Sequence, residues 1–273
     1  MKSVADAEVA MGTTFDEKLA DGIALMESGE YAKAVEAFKG CISLEPDNAE
    51  GYFYLGEAYS EQAKTDDAIA ALKKGLELAP EDLDGLTALG DVYFESGRQK
   101  DALACYRKVT ELQPKECDGY VSMGLVYNAM ERADDALKAF QRALDLDPKN
   151  VFALNAMGDL YYGLGENEKA IEAYHKGIEI DPADATARFN LGELYYDMDD
   201  LESAERETLE AVRLDPDFTM SYLTLGNICI DQDRTQEAIK YFESYLAREH
   251  SPQAREMIAE VKAVIEGLKE ELK

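Results

Sequence analysis

The sequence predicts an all-α protein made of tandem helix-turn-helix hairpins, and three observations support this fold class. A period of 34 residues runs through most of the chain. Each period contains two blocks of apolar residues at helical spacing. The composition, with 46% hydrophobic residues, 31% charged residues and only 7 prolines among 273 residues, is typical of a helical protein in water.

Prolines mark the end of each period. They recur 34 residues apart, at Pro46, Pro80, Pro114, Pro148, Pro182 and Pro216. Because proline has no backbone N–H and its ring clashes with the preceding turn, it ends the second helix of each hairpin. The repeats are therefore predicted to fill residues 15–252, with starts at residues 15, 49, 83, 117, 151, 185 and 219.

Small residues recur in the same register. Repeat position 8 holds glycine, at Gly22, Gly56, Gly90, Gly124, Gly158, Gly192 and Gly226. Repeat position 20 holds alanine, at Ala34, Ala68, Ala102, Ala136, Ala170, Ala204 and Ala238. Neither residue keeps two helix axes apart, so the paired helices are predicted to pack closely. Position 24 is bulky except at Thr208, and it is predicted to fill the gap between neighbouring hairpins.

The two ends of the chain depart from the repeat. Residues 1–14 show no period and are predicted to form a tail or a short extra helix. Residues 253–273 are predicted to form a capping helix over the seventh hairpin, with one apolar face made of Met257, Ile258, Val261, Val264, Ile265, Leu268 and Leu272. The opposite face is acidic, which disfavours a membrane-surface helix.

The pattern of glycine at position 8, alanine at position 20 and proline at position 32 resembles the tetratricopeptide repeat family. An aromatic residue at position 11 completes it, at Tyr59, Tyr93, Tyr127, Tyr161 and Tyr195. The resemblance covers residues 15 to about 250. It implies a right-handed α-solenoid, a superhelix of hairpins whose first helices line a concave groove through positions 2, 5, 9, 12 and 13. It also implies a role in binding other proteins.

The net charge narrows the class of partner. Asp and Glu number 57 against 28 Lys and Arg, for a formal net charge of -29. A field of this sign repels nucleic acid and anionic membranes, so we expect neither nucleic acid binding nor direct membrane insertion. It favours a basic protein or peptide, although a surface that serves only solubility has the same sign.

No motif for catalysis, cofactors or metals occurs. His175 and His250 lack metal-binding spacing, and no glycine-rich phosphate loop is present. The segments Asp197–Asp200 and Asp231–Asp233 lack the glycine and the frame of a calcium loop, and they fall at turns within hairpins. The sequence therefore predicts a protein that is not an enzyme and that needs no cofactor or metal.

The cysteines and the amino terminus indicate the cellular compartment in which the protein resides. Cys41, Cys105, Cys117 and Cys229 are widely spaced, which favours reduced thiols in a packed core over a disulfide framework. The first residues lack the apolar core of a signal peptide. We therefore expect a cytoplasmic protein.

The resemblance places a candidate binding groove on the first helices. Its predicted members are carboxylates, aromatic side chains and one amide, at Phe53, Glu57, Asp91, Phe94, Asp159, Tyr162, Phe189, Glu193, Tyr196 and Asn227. Aromatic side chains beside carboxylates suit a basic or amphipathic segment of a partner. The alternative for the aromatic residues is that they pack against neighbouring helices. Position 5 holds no lysine, so the peptide-carboxylate clamp of some family members is not matched.

The predicted function is a non-enzymatic scaffold or adaptor for protein–protein interaction. One alternative is a self-assembling scaffold or homo-oligomer, because Phe15, Leu19, Ile23 and Met26 lie at helical spacing near the uncovered first repeat. Another is a chaperone for a secreted or aggregation-prone client.

Overall fold

Fifteen α-helices and one short 3-10 helix, Pro252–Ala254, make up the computed structural model, which describes residues 14–272; this range contains no β-strand. The first helices of the hairpins are α1 Phe15–Glu27, α3 Ala49–Glu61, α5 Leu83–Glu95, α7 Asp118–Ala129, α9 Val151–Gly163, α11 Ala185–Asp197 and α13 Thr219–Asp231. The second helices are α2 Tyr31–Leu44, α4 Thr65–Leu78, α6 Gln99–Leu112, α8 Ala133–Leu146, α10 Asn167–Ile180, α12 Leu201–Leu214 and α14 Thr235–Arg248. The predicted all-α fold class is confirmed. The predicted tail, apart from Thr14, lies outside the described residues.

The chain divides into two compact units at Leu146. Unit 1 ends at Leu146 and contains α1 to α8, which form four hairpins. Unit 2 begins at Asp147 and contains three hairpins and α15, Arg255–Glu271. The sequence does not predict this division, since its period continues unbroken through Pro148.

Within each hairpin the two helices meet at the glycine of position 8. A Cβ atom added to Gly22 would lie 2.4 Å from the ring of Phe38, and one added to Gly158 would lie 2.6 Å from the ring of Tyr174. Separations this short are not tolerated in a packed interior, so these positions require glycine. The position-20 alanines are fully buried in all seven hairpins. The predicted close packing is confirmed.

The bulky residue at position 24 packs inside its own hairpin as well as toward the next one. Phe38 covers Gly22 and also stacks on Tyr54 of the following hairpin, with ring centroids 5.4 Å apart. Phe38 therefore contacts the next hairpin, as predicted for position 24, and also fills space inside its own hairpin. The position-8 glycine needs a side chain from its partner helix to fill the space that its own missing side chain leaves.

Each hairpin turns through one residue in the left-handed conformation. This residue lies at position 15, and its φ is between 55° and 73° at Gly29, Ala63, Gly97, Glu131, Gly165, Asp199 and Asp233. Asp199 and Asp233, which belong to the segments that resemble calcium loops, are thus turn residues. Aspartate tolerates this conformation better than most non-glycine residues.

The helix α15 covers the last hairpin with part of its apolar face. Val261 and Ile265 are buried, and Ile258 and Leu268 pack beside them on a cluster that includes Phe242 of α14. The remaining apolar residues of the predicted face are exposed, at Met257, Val264 and Leu272. The predicted face is therefore wider than the surface that the seventh hairpin buries.

Three cysteines serve as core residues, because Cys41, Cys105 and Cys229 are buried. Burial raises the pKa of the Cys105 thiol to about 11, so this thiol is uncharged at neutral pH. Between residues 14 and 272, no helix has both the length and the apolar character that crossing a membrane requires.

Candidate functional site

The predicted groove residues all lie on first helices, but they are divided between the two units. Unit 1 holds Phe53 and Glu57 on α3, and Asp91 and Phe94 on α5. Unit 2 holds the remaining six, on α9, α11 and α13, at Asp159, Tyr162, Phe189, Glu193, Tyr196 and Asn227.

An acidic cleft runs along the first helices of unit 1. It encloses about 480 Å³. Its lining includes five carboxylate side chains and neither Lys nor Arg, the carboxylates being Glu57, Asp84, Asp91, Glu116 and Asp118. A second cleft of about 630 Å³ shares Glu57 and Asp84 and adds Glu50 and Asp82. We call the residues around these two volumes the acidic cleft.

Glu57 and Asp84 line both volumes of the acidic cleft and are near enough to repel each other. Burial raises the pKa of Glu57 above its ordinary value, and repulsion by Asp84 raises it further. The Glu57 side chain is solvent-accessible, yet the walls of the cleft displace part of its hydration. No hydrogen bond to Glu57 or Asp84 occurs within residues 14–272. These two carboxylates are therefore available to a cationic group from outside.

Asp91 also lines the cleft, but unlike Glu57 and Asp84 it has a hydrogen-bond donor. It accepts a hydrogen bond from the hydroxyl of Tyr106, a side chain on α6 that is almost completely buried. Burial raises the pKa of Asp91, and the bond from Tyr106 opposes this shift. The bond satisfies a buried hydroxyl and orients the carboxylate at the surface.

The two aromatic candidates of unit 1 differ in exposure. Phe53 is buried, and its ring lies so close to Gly75 and Gly85 that a Cβ on either would approach it to 2.4 Å. Phe53 therefore fills interior space between α3, α4 and α5, which is the packing alternative left open by the sequence. Phe94 is partly exposed on α5.

The carboxylates of unit 2 are hydrogen-bonded by neighbouring side chains. Asp159 accepts from the hydroxyl of Tyr174 at 2.6 Å and from the amide of Asn190 at 2.9 Å. Glu193 accepts from the hydroxyl of Thr224 at 2.5 Å. Burial raises the pKa of both carboxylates, and these hydrogen bonds oppose the rise.

Two tyrosines connect successive first helices in unit 2. The hydroxyl of Tyr162 on α9 donates to Asp197 on α11, and the hydroxyl of Tyr196 on α11 donates to Asp231 on α13 at 2.7 Å. The donors occupy repeat position 12 and the acceptors position 13 of the next repeat. Burial and the bond to Asp231 raise the pKa of Tyr196 to about 12. These tyrosines thus fix neighbouring first helices to each other through their hydroxyls.

Phe189 and Asn227 complete the predicted set. Phe189 is partly exposed and makes an edge contact with Phe218, with ring centroids 4.9 Å apart. Asn227 is exposed on α13, and its side-chain amide has no hydrogen-bond partner among residues 14–272.

A cavity in unit 2 is lined by residues of α11, α13, α14 and α15. It encloses about 350 Å³, and we call it the terminal pocket. Its lining combines apolar and acidic side chains: Glu193, Tyr196, Asp197, Met220, Leu223, Thr224, Asn227, Phe242, Met257, Glu260, Val261 and Val264. Three predicted residues, Glu193, Tyr196 and Asn227, are thereby brought together.

Sequence reasoning missed several residues of these cavities. In unit 1 it missed Asp84 and Asp118, although repeat position 2 is acidic throughout that unit, at Asp16, Glu50, Asp84 and Asp118. In unit 2 it missed Met257, Glu260 and Val264 because α15 was interpreted only as a cap. One sequence feature could have indicated that α15 also lines a cavity. Its apolar face has seven residues, although only four of them pack on the last hairpin.

The arrangement suits recognition. In the described range, no three His, Cys, Asp or Glu side chains are grouped so as to hold a metal ion. His175 is exposed on α10, with its Nε2 atom 3.3 Å from the Tyr195 hydroxyl. The carboxylates of both units are spread along first helices, as a surface for an extended or helical partner requires.

Comparison with known protein families gives matches along most of the chain. Profiles described as tetratricopeptide repeat match residues 25–82 and 189–255, and one described as TPR repeat matches residues 90–131, 124–165 and 158–199. No curated protein gives a significant match.

Solved structures with the same fold include a tetratricopeptide repeat protein from Parabacteroides merdae. It is 19% identical with a TM-score of 0.72, over 93% of this chain and 99% of that one. Yeast Tom70 is 18% identical with a TM-score of 0.76, over 94% of this chain and 55% of that one. A MamA protein is 27% identical with a TM-score of 0.53, over 63% of this chain and 93% of that one. These similarities confirm the α-solenoid architecture.

Proposed function

The chain belongs to the tetratricopeptide repeat family, and on that premise we propose that it is a non-catalytic scaffold that binds a basic segment of a partner protein along its first helices. The observation that carries the proposal is the acidic cleft of unit 1. Five carboxylates line it without a basic residue, and three of them, Glu57, Asp84 and Glu116, have no hydrogen-bond or ion-pair partner within the described chain.

Electrostatics supplies the driving force in the acidic cleft. A Lys or Arg side chain placed between Glu57 and Asp84 relieves their mutual repulsion and restores the interactions lost by partial desolvation of Glu57. Binding therefore lowers the pKa of Glu57 and weakens as salt screens the charges. Arginine suits this site better than lysine, since its planar fork reaches two carboxylates at once.

The first helices of unit 2 add aromatic surface to the proposal. Tyr162, Phe189 and Tyr196 are partly exposed beside the carboxylates that two of them orient. The hydroxyls of Tyr162 and Tyr196 are already bonded, and Phe189 packs edge-on against Phe218, so these rings lose little conformational freedom on contact with a partner. Apolar or cationic side chains of a partner pack favourably on such fixed rings.

The structure weakens the basis of the self-assembly alternative. Phe15 is buried in the cluster of the first hairpin, and Leu19, Ile23 and Met26 pack against the same cluster. These four side chains therefore leave less apolar surface at the first repeat than their spacing predicts. Homo-oligomerisation and a chaperone role remain hypotheses without a specific supporting contact.

Affinity capture from a lysate of the native cells tests the proposed function. The cleft variant is Glu57→Lys with Asp84→Lys, and the matched control is Glu111→Lys with Glu179→Lys, which changes the net charge equally on exposed positions of second helices. We expect the cleft variant to lose partners that the wild type and the control retain, with affinities reduced about tenfold for two charges at ~0.5–1 kcal/mol each.

The salt dependence and the identity of the captured proteins complete this test. Partners of the acidic cleft should carry basic segments and should be released at lower salt concentration than other bound proteins. Capture of the same proteins by wild type, control and cleft variant would contradict the proposal.

A further inference from the structure

We propose that the terminal pocket of unit 2 receives a large apolar side chain that stands next to a lysine or arginine in the partner segment. In this proposal α15 is part of the binding surface as well as a cover for the last hairpin. The inference rests on the proposed function, because it specifies which residues of a basic partner unit 2 recognises.

The terminal pocket has the size and walls for such a side chain. Its volume of about 350 Å³ exceeds that of any single side chain and leaves room for flanking backbone. Met220 and Leu223 of α13 line it together with Met257 and Val264 of α15. An apolar side chain that covers these residues removes their surface from water, which favours binding.

Three of the four apolar residues named above are exposed to an unusual degree for their type, whereas Leu223 is buried. Met220 is 45% exposed, Met257 is 41% exposed and Val264 is 40% exposed. On the same helix Val261 and Ile265 are buried, so α15 does not need Met257 or Val264 to pack on the hairpin. Methionine side chains are flexible and adapt to ligands of different shape. Exposed apolar side chains clustered around a cavity favour a binding site over a solvated surface.

The charges around the terminal pocket select the neighbour of that apolar side chain. Glu193 and Asp197 of α11 and Glu260 of α15 line it, and neither Lys nor Arg does. A cation adjacent to the inserted side chain therefore meets carboxylates on two sides. A second copy of this chain, with its formal net charge of -29, and an anionic membrane would both be repelled. Charge complementarity thus identifies the occupant as a basic partner.

The pocket is largely formed before a ligand arrives. The hydroxyl of Thr224 donates to Glu193 at 2.5 Å, and that of Tyr196 donates to Asp231 at 2.7 Å, which fixes two of its walls. The free amide of Asn227 is in place to pair with backbone of an inserted segment. Preorganisation of this kind reduces the entropic cost of binding.

Methionine methyl NMR on the full chain tests the inference. The chain has 9 methionines, and the substitutions Met220→Leu and Met257→Leu assign the two pocket signals. The probe is the peptide acetyl-Gly-Lys-Phe-Lys-Gly-amide, compared with twins that carry Ala for Phe or Glu for both Lys. We expect only the first peptide to shift the Met220 and Met257 methyls, while Met130 of unit 1 stays unchanged.

A pair of variants on α15 separates the pocket from the rest of its surface. Val264→Ser should weaken binding of the probe about fivefold through lost apolar contact, whereas Leu272→Ser, at an exposed position outside the pocket, should leave it unchanged. Circular dichroism verifies that both variants remain folded.

The outcomes distinguish this inference from the proposed function. If neither pocket methyl moves, or if the Ala twin moves them equally, the inference is wrong. In that case the proposed function still stands when the Glu57→Lys with Asp84→Lys variant loses partners that its control retains. If that variant also behaves as wild type, both proposals fall.

Discussion

The two units are built from the same repeat, yet they hold the carboxylates of their first helices in different ways. In unit 1, Glu57 and Asp84 have no hydrogen-bond donor within the described residues, although their neighbour Asp91 accepts a hydrogen bond from Tyr106. In unit 2, each of four carboxylates accepts from a neighbouring side chain, at Asp159, Glu193, Asp197 and Asp231. Two surfaces of equal charge can therefore differ in affinity for a cation, because hydrogen-bonded carboxylates already have partners.

Repeat position 2 shows the same contrast. In unit 1 it is acidic in every hairpin, whereas in unit 2 it holds Phe152, Thr186 and Met220. Phe152 is 61% exposed on α9. Unit 1 therefore offers unpaired charge and unit 2 offers apolar and aromatic surface with charge at its edge. A partner that uses both would carry a basic stretch and a separate amphipathic stretch.

The largest predicted effect concerns a buried ion pair in unit 2 that has no counterpart among the described residues of unit 1. Glu207 is 4% exposed and pairs with Arg188 at 2.5 Å, whereas the third hairpin of unit 1 has Leu86 and Cys105 at the equivalent positions. We expect Arg188→Ala to lower the free energy of unfolding by about 2–4 kcal/mol, because it leaves a buried carboxylate poorly compensated. Urea denaturation followed by circular dichroism measures this change.

The control for this prediction is the other partner of Glu207. Arg206 lies 3.1 Å from the same carboxylate, but its side chain is largely exposed. Arg206→Ala should therefore cost less than about 1 kcal/mol. Equal losses for the two variants would show that Arg188 has no special role in unit 2.

An effect of intermediate size is expected for the hydrogen bond between Tyr174 and Asp159 in unit 2, and a double-mutant cycle measures it. Tyr174→Phe removes the donor and Asp159→Leu removes the acceptor, so each single change should cost about 1–2 kcal/mol. The double variant has the apolar pair that the fourth hairpin uses, Phe140 with Leu125, and should recover most of the loss. Thermal and urea denaturation of the four proteins measure the coupling.

The cycle has a clear contrary outcome. Strictly additive losses would mean that the Tyr174 hydroxyl and the Asp159 carboxylate contribute independently, and that unit 2 does not rely on this bond to orient its surface.

The smallest predicted effect is an increase in stability, in contrast to the losses above, and it concerns unit 1. Burial and repulsion by Asp84 raise the pKa of Glu57 in the folded state, so the folded protein binds this proton more tightly than the unfolded chain. Stability therefore falls as pH rises through the interval above the ordinary glutamate pKa of about 4.3. At neutral pH, Glu57→Gln should raise the stability by a few tenths of a kcal/mol, with solvent screening included.

A calorimetric comparison at two pH values tests this sign. We expect Glu57→Gln to raise the Tm by about 1 °C at pH 7, and to lose that advantage below the ordinary glutamate range, where wild-type Glu57 is protonated. Glu111→Gln, at an exposed position on α6, serves as the matched control and should leave the Tm unchanged. A decrease of the Tm for Glu57→Gln would show that the fold favours the charged form of this carboxylate, contrary to the raised pKa.

Much of the fold was predictable because the repeat expresses backbone and packing requirements directly. Pro46 and its counterparts end second helices, and Gly22 and its counterparts allow contact with the partner helix, so their positions carry structural information without an alignment. The division at Leu146 was not predictable, since the period continues through it.

The candidate site was predictable in part. The groove positions taken from the family selected Glu57 and Asp91, which line one cleft. They also selected Glu193, Tyr196 and Asn227, which line one pocket. They did not reveal that Phe53 is buried between two glycines of adjacent helices. They also did not reveal that Met257 and Val264 complete a cavity with α13, because this contact joins residues more than thirty positions apart.

The sequence by itself determined the helical hairpins, the family and the acidic character of the chain. Periodicity, glycine and proline act on neighbouring residues, and the net charge is a sum over all residues. Only the tertiary structure decided which carboxylates are free, which aromatic rings are buried and where α15 leaves apolar side chains exposed. Those properties depend on donors and neighbours from other helices, such as Tyr174 for Asp159 and Gly75 for Phe53. Hydrogen bonding and burial are set by these distant contacts, which the spacing of residues along one helix does not specify.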